Sequence, residues 1–120
     1  MKKSILIVDD EVEIRGALEE LLQASGYETV TAGSAKAAYA MLSTANIDLV
    51  LTDIRMPEVN GFSLKKMIKE NEDFKNIPVI FMSGYSPDID RAPSIVMTKP
   101  FNFDDLLSVI EITLMPENAQ

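Results

Sequence analysis

The sequence predicts an α/β fold in which a five-stranded parallel sheet carries helices on both faces. Short runs rich in valine and isoleucine alternate with amphipathic stretches along the 120 residues. The runs are almost continuously apolar, as is typical of parallel strands covered on both faces, and the alternation favours right-handed crossovers. The predicted strands are Ser4–Val8, Glu28–Ala32, Asp48–Thr52, Pro78–Met82 and Ile95–Thr98.

Amphipathic stretches beside these strands predict the helices. The first helix is indicated by an apolar stripe at the spacing i, i+3, i+4, i+7 and i+8, followed by a stop signal at Gly26. The stripe consists of Ile14, Ala17, Leu18, Leu21 and Leu22. Ser34, Gly61 and Asn102 mark the starts of three further helices. Pro116 ends the last of them.

Length and composition limit the possible functions. The elements fit a flavodoxin-like, doubly wound sheet of order 2-1-3-4-5, and we expect one domain over residues 1–120. The chain has no Cys and no His, which excludes disulfides, thiolate or imidazole metal sites, and Ser-His or Cys-His catalysis. A net charge of −8 argues against direct nucleic-acid binding. No apolar run suits a signal peptide or a membrane span, so we expect a cytoplasmic protein.

Polar residues follow four of the five predicted strands. They are Asp9 and Asp10 after the first strand, Asp53 after the third, Ser83 after the fourth and Lys99 after the fifth. In a parallel sheet these ends share one edge, where ligands of open α/β sheets bind. The three carboxylates contribute −3 and the ammonium +1, so a divalent cation would neutralise the set. Oxygen ligands in an accessible cleft suit Mg²⁺, and Mn²⁺ is the second choice.

Each of these residues also has an ordinary structural interpretation. Asp9 or Asp10 could cap the first helix, and Asp53 could begin an Asx-turn. Ser83 could belong to a turn, and Lys99 could be a surface lysine. The combination is more specific than its members, because four separate strands deliver matching polar groups to one edge.

Five motifs within residues 3–115 are typical of one family. They are ILIVDDE at 5–11, DLVLTDIRMP at 48–57, Gly61, Ser83-Gly84 and Lys99-Pro100-Phe101. With these motifs the chain resembles the response-regulator receiver domains of bacterial two-component, or phosphorelay, signalling.

The resemblance implies a role for each strand-end residue. Asp53 would be the phosphoacceptor and would attack the phosphorus of a phosphohistidine on a sensor histidine kinase or a phosphotransfer protein. Lys99 would pair first with Asp53 and then with a phosphoryl oxygen, and Ser83 would donate a hydrogen bond to another. Mg²⁺ would be bound directly by Asp10, Asp53 and the main-chain carbonyl of Arg55, and mainly through water by Asp9.

The resemblance also implies a signalling switch rather than an enzyme with a substrate of its own. The domain would assist its own aspartyl phosphorylation and dephosphorylation, and phosphorylation would shift a pre-existing conformational equilibrium. An output partner, or a fused effector or kinase domain, would read the change, and the sequence does not identify it.

Two features depart from the family pattern. Val96 stands where the family usually carries Tyr or Phe as a rotameric switch, and valine is too stiff and small to act as one. The stretch 84–94 is short and contains two prolines, so we expect the helix between the fourth and fifth strands to be short or missing. We hypothesise that this stretch takes over signalling.

Arg55 and Tyr85 could shield the acyl phosphate from water, or be ordinary surface residues.

Two other classes of function compete with this interpretation. A pseudo-receiver would use the same fold only as a protein-binding module, against which the complete set of acids, Ser83 and Lys99 argues. A haloacid-dehalogenase-like phosphatase would also use a strand-end Asp, but it needs a second Asp at the position of Arg55.

Dimerisation stays open, with Val109 and Ile112 as candidates for a contact face.

Overall fold

The computed structural model describes residues 2–83, 95–99 and 101–115. Its elements are β1 (Ser4–Val8), α1 (Val12–Ala24), β2 (Glu28–Ala32), α2 (Ala35–Leu42), β3 (Leu49–Asp53), α3 (Gly61–Lys69), β4 (Val79–Ser83), β5 (Ile95–Thr98) and α4 (Phe103–Thr113). The strands form one parallel sheet of order β2-β1-β3-β4-β5, which confirms the predicted fold class. The short or missing helix expected within 84–94, the signalling hypothesis for that stretch and Tyr85 lie outside the described residues.

Two layers of helices cover the sheet, because alternate strand residues point to opposite faces. Leu6 and Val8 of β1 face a core completed by α2 and α3. Ile5 and Ile7 face the other core, completed by α1 and α4. Both faces of the central strands are therefore buried, and the loops at their carboxyl ends follow well-packed strands. None of the helices in the described part of the chain is both long and apolar enough to cross a membrane.

The third and fourth strands begin and end one residue later than the sequence predicted. At the start of β3, Asp48 instead accepts a hydrogen bond from the main-chain N–H of Ser4 through its carboxylate, at 2.8 Å. Pro78, before β4, has no N–H to contribute to a ladder. At the far ends the ladders continue through Asp53 and Ser83. Both polar residues are therefore the last residues of strands rather than the first residues of loops.

Side-chain caps fix the starts of three helices. Ser34 accepts a hydrogen bond from the N–H of Ala37, and Asn102 accepts one from the N–H of Asp104. The third helix begins at Gly61, as predicted, and Asn60 caps it by accepting from the N–H of Ser63. These caps satisfy main-chain donors that the first turn of a helix leaves without partners.

Ala17 is the one member of the predicted first stripe that lies exposed. The buried side of α1 is centred on Leu18 and Leu22. At 100° per residue, position 17 lies well to one side of that centre. The prediction that Ala17 belongs to the core is therefore wrong, although the helix itself forms as expected.

Candidate functional site

The carboxyl edge of the sheet brings together four of the polar residues identified from the sequence. One carboxylate oxygen from each of Asp9, Asp10 and Asp53 lies within 4.8 Å of the others. The Nζ atom of Lys99 lies 3.4 Å from Asp9 Oδ2 and 3.3 Å from Asp53 Oδ2. β1, β3 and β5 thus supply three anions and one cation to a single cluster.

Asp53 is the buried centre of this cluster, with 7% of its surface exposed. Burial is the largest influence on the pKa of Asp53 and raises it; the charge of Lys99 lowers it, and that of Asp9 raises it further. A smaller lowering comes from a main-chain hydrogen bond of Arg55. The net result is a pKa above the usual range, so a bound cation would favour the ionised form.

Lys99 is held as a cation by the same contacts. Burial lowers the pKa of Lys99, but the charges of Asp53 and Asp9 outweigh that effect, and the net pKa is raised. An ammonium shared by two carboxylates has a ready alternative partner if one carboxylate loses its charge. Lys99 can therefore change partner when the charge of Asp53 changes.

The two acids that follow β1 have different surroundings. Asp9 is completely buried, and its Oδ1 accepts a hydrogen bond of 2.9 Å from the N–H of Glu11 while its Oδ2 faces Lys99. Asp10 is exposed. A cation that keeps part of its water shell would thus approach the cluster from the side of Asp10, which suits Mg²⁺ or Mn²⁺.

Ser83 lies at the end of β4, and only 1% of its surface is exposed. Within the described residues its Oγ has no hydrogen-bond partner. A buried hydroxyl without a partner costs about 1–3 kcal/mol, so such a group calls for an explanation. Its location beside Asp53's strand, at the same edge, fits a donor meant for a ligand with acceptor oxygens.

Arg55 and Val96 both lie in the described part of the chain. Arg55 is exposed on the loop two residues beyond Asp53. Val96 pairs with Phe81 in the sheet and is partly buried against the core on the α2 and α3 side. The proposed shielding by Arg55 and Tyr85 stays a prediction, since Tyr85 is outside the described residues.

Gly61 makes a contact that sequence reasoning did not assign, although the glycine belongs to one of the quoted motifs. A Cβ on Gly61 would overlap the main-chain oxygen of Asp53 and lie 3.1 Å from Cα of Ile54. The N–H of Gly61 also donates to the carbonyl of Ile54 at 2.8 Å. The start of α3 therefore packs directly against the main chain of Asp53, and only the absence of a side chain allows it.

Residues 5–111 match the model of the response regulator receiver domain. The chain belongs to this family. The match includes all five strands, apart from Ser4 at the start of β1, and all of the polar cluster. As a receiver domain the chain is a signalling switch of two-component systems.

Named relatives agree with this assignment. Over 86 residues the receiver domain is 36% identical to the polar-differentiation response regulator DivK of Brucella abortus, with 72% of this chain and 70% of DivK covered. The chemotaxis protein CheY4 of Vibrio cholerae superposes with a TM-score of 0.87 at 28% identity, covering 94% of this chain and 99% of CheY4.

A further solved structure is that of the response regulator TrrA from Thermotoga maritima, in complex with Mg²⁺ and BeF. It superposes with a TM-score of 0.84 at 35% identity, covering 92% of this chain and 98% of TrrA.

Proposed function

We propose that this receiver domain accepts a phosphoryl group on Asp53 in a Mg²⁺-dependent reaction. The donor is a phosphohistidine on a sensor histidine kinase or a phosphotransfer protein. The observation that carries the proposal is the position of Lys99 Nζ, 3.3 Å from Asp53 Oδ2 and 3.4 Å from Asp9 Oδ2, beside three carboxylates grouped within 4.8 Å.

In the transfer, a carboxylate oxygen of Asp53 forms a bond to phosphorus. The bond from phosphorus to the imidazole nitrogen breaks, and the nitrogen keeps the electron pair. Asp53 thereby loses its own negative charge, so Lys99 is released from that carboxylate and can pair with the incoming phosphoryl oxygens. The hydroxyl of Ser83, buried and without a partner among the described residues, donates to another of these oxygens.

The metal would be held by Asp10, Asp53 and the main-chain carbonyl of Arg55, with Asp9 acting mainly through water. Mg²⁺ supplies neutralisation of the negative charge that accumulates between the carboxylates and the phosphoryl group. The complex of the relative TrrA with Mg²⁺ and BeF supports Mg²⁺ as the ion. Mn²⁺ has the same preference for oxygen ligands and is expected to substitute.

Phosphorylation replaces the single charge of the Asp53 carboxylate by a phosphoryl group that carries roughly −1.5 to −2 charge and three acceptor oxygens. We propose that Ser83 and Lys99 follow these oxygens and so favour a second conformation, which an output partner or a fused domain reads. Slow loss of the phosphoryl group to water, assisted by the same residues, would reset the switch. We place the protein in the cytoplasm and propose that it forms a single domain over residues 1–120.

Intact-mass spectrometry tests the proposal directly. With acetyl phosphate and Mg²⁺, the wild-type protein should gain the mass of one phosphoryl group, and chelation of the metal should prevent the gain. Asp53→Asn should gain nothing. A pseudo-receiver, the second candidate, would bind partners yet stay unmodified under all of these conditions, and that result would replace the present proposal.

A further inference from the structure

We propose that Arg15 is a positioning residue for the acidic cluster. Its guanidinium fixes the main chain between Asp9 and Asp10, and so holds the exposed carboxylate of Asp10 where the divalent cation binds. This inference rests on the metal-dependent function proposed above and adds to it a residue that contacts neither the metal nor the phosphoryl group.

The contact that carries the inference joins α1 to the end of β1. The Nη1 atom of Arg15, which is half-buried, donates a hydrogen bond of 2.7 Å to the main-chain carbonyl of Asp9. A bond from a charged donor at this distance is among the stronger ones. Since the carbonyl of Asp9 and the N–H of Asp10 belong to one planar peptide unit, fixing the carbonyl also fixes the plane from which Asp10 projects.

Asp9 is held at its other polar atoms as well. Its N–H donates to the carbonyl of Ala32 at 3.2 Å, and its carboxylate accepts from Glu11 N–H and Lys99 Nζ. Asp10, by contrast, is exposed and gains little orientation from packing. The direction of its carboxylate therefore depends on the main chain before it, where Arg15 acts.

Gly33 leaves the space that the guanidinium occupies. A Cβ on Gly33 would lie 3.0 Å from Arg15 Nη1, and the next atom it meets, Arg15 Cζ, is 3.8 Å away. Apart from the neighbours of Gly33 in the chain, the guanidinium is the only group among the described residues within 4 Å of such a methyl group. Gly33→Ala can shift the guanidinium while the positive charge stays in the protein.

Geometry and charge make opposite predictions for Arg15. If the guanidinium acted only through its charge, its removal would make the cluster more negative and Mg²⁺ would bind more tightly. If it acts by orienting the main chain, its removal should weaken Mg²⁺ binding, as loss of groups that orient metal ligands commonly does. The sign of the change therefore separates the two roles.

The experiment is calorimetric titration of Mg²⁺ into the full chain and four variants. Arg15→Met and Gly33→Ala should each raise the Kd for Mg²⁺, by about tenfold for Arg15→Met and less for Gly33→Ala. Arg15→Lys, which keeps a charged donor, should fall between Arg15→Met and wild type. Gly16→Ala is the matched control on the same helix, because a Cβ there meets no atom of the described residues within 4 Å, and its Kd should equal that of wild type.

A second measurement uses acetyl phosphate. In the Arg15 and Gly33 variants the Mg²⁺ concentration for half-maximal phosphorylation should rise, while the rate at saturating Mg²⁺ stays near that of wild type. A general loss of fold would lower the rate at every concentration. If Arg15→Met does not fold, Gly33→Ala carries the test alone.

Tighter or unchanged Mg²⁺ binding in Arg15→Met, or an unchanged Kd in Gly33→Ala, would overturn the role of Arg15 and leave the proposed function intact. A wild-type protein that takes up no Mg²⁺ would overturn both together.

Discussion

The ammonium of Lys99 lies 3.3 Å from Oδ2 of Asp53, so the carboxylate at the end of β3 is paired with a cation that follows β5. Burial nevertheless raises the pKa of Asp53, with the charge of Lys99 only partly offsetting it. The ionised carboxylate is therefore unfavourable in the fold despite its partner. Positive charge added near this carboxylate, or removal of its own charge, should therefore stabilise the fold.

The first prediction concerns the effect of Asp53 on stability. A carboxyl group whose pKa is higher in the folded state destabilises the fold when ionised, so Asp53→Asn should raise the free energy of unfolding at neutral pH. The advantage should shrink as pH falls through the raised pKa, and vanish below the ordinary value of 3.8, where Asp53 is protonated in both states. Urea unfolding of both proteins at stepwise lower pH measures the difference. A less stable Asp53→Asn protein at neutral pH would contradict the argument.

The second prediction concerns Mg²⁺ and the free energy of unfolding. A ligand that binds only the folded state stabilises it by mass action, by about 2.7 kcal/mol at a hundredfold excess over Kd. Thermal unfolding in Mg²⁺ and in chelator should show this difference for wild type. Asp10→Asn should abolish most of it, because the exposed carboxylate of Asp10 is one of the proposed ligands of the ion. Asp73→Asn, at an exposed acid on a distant loop, should respond to Mg²⁺ as wild type does.

Much of the site could be predicted because the hydrophobic pattern indicates a parallel sheet. Once the strands are parallel, the residues after them must meet at one edge, and Asp9, Asp53 and Lys99 do so. The pattern of side chains does not report main-chain contacts, so the packing of Gly61 against Asp53 could not be inferred from it. The side-chain pattern also does not indicate the positive φ of 67° at Glu58, because Gly or Asn is the residue usually found in that conformation.

A third prediction separates stability from function at Ser83. Because its buried Oγ has no partner among the described residues, Ser83→Ala should leave the free energy of unfolding unchanged or raise it by up to about 1 kcal/mol. The same variant should phosphorylate more slowly, since the phosphoryl oxygens lose a donor. Ser63→Ala, at an exposed serine on α3, should change neither quantity. Equal phosphorylation rates in Ser83→Ala and wild type would remove Ser83 from the proposed mechanism.

The last prediction concerns the packing of α3 against the phosphoacceptor strand. In Gly61→Ala the new methyl group would overlap the main-chain oxygen of Asp53, and main chain cannot move aside as a flexible side chain can. We expect a loss of about 1–3 kcal/mol in the free energy of unfolding, as for other overpacked sites. Phosphorylation should slow as well, because the shift moves Asp53 relative to Lys99. Gly16→Ala, a glycine in open space within α1, should instead gain about 0.5–1 kcal/mol. Equal stability of Gly61→Ala and wild type in urea would show that the start of α3 yields to the methyl group, and an unchanged phosphorylation rate would show that Asp53 keeps its position.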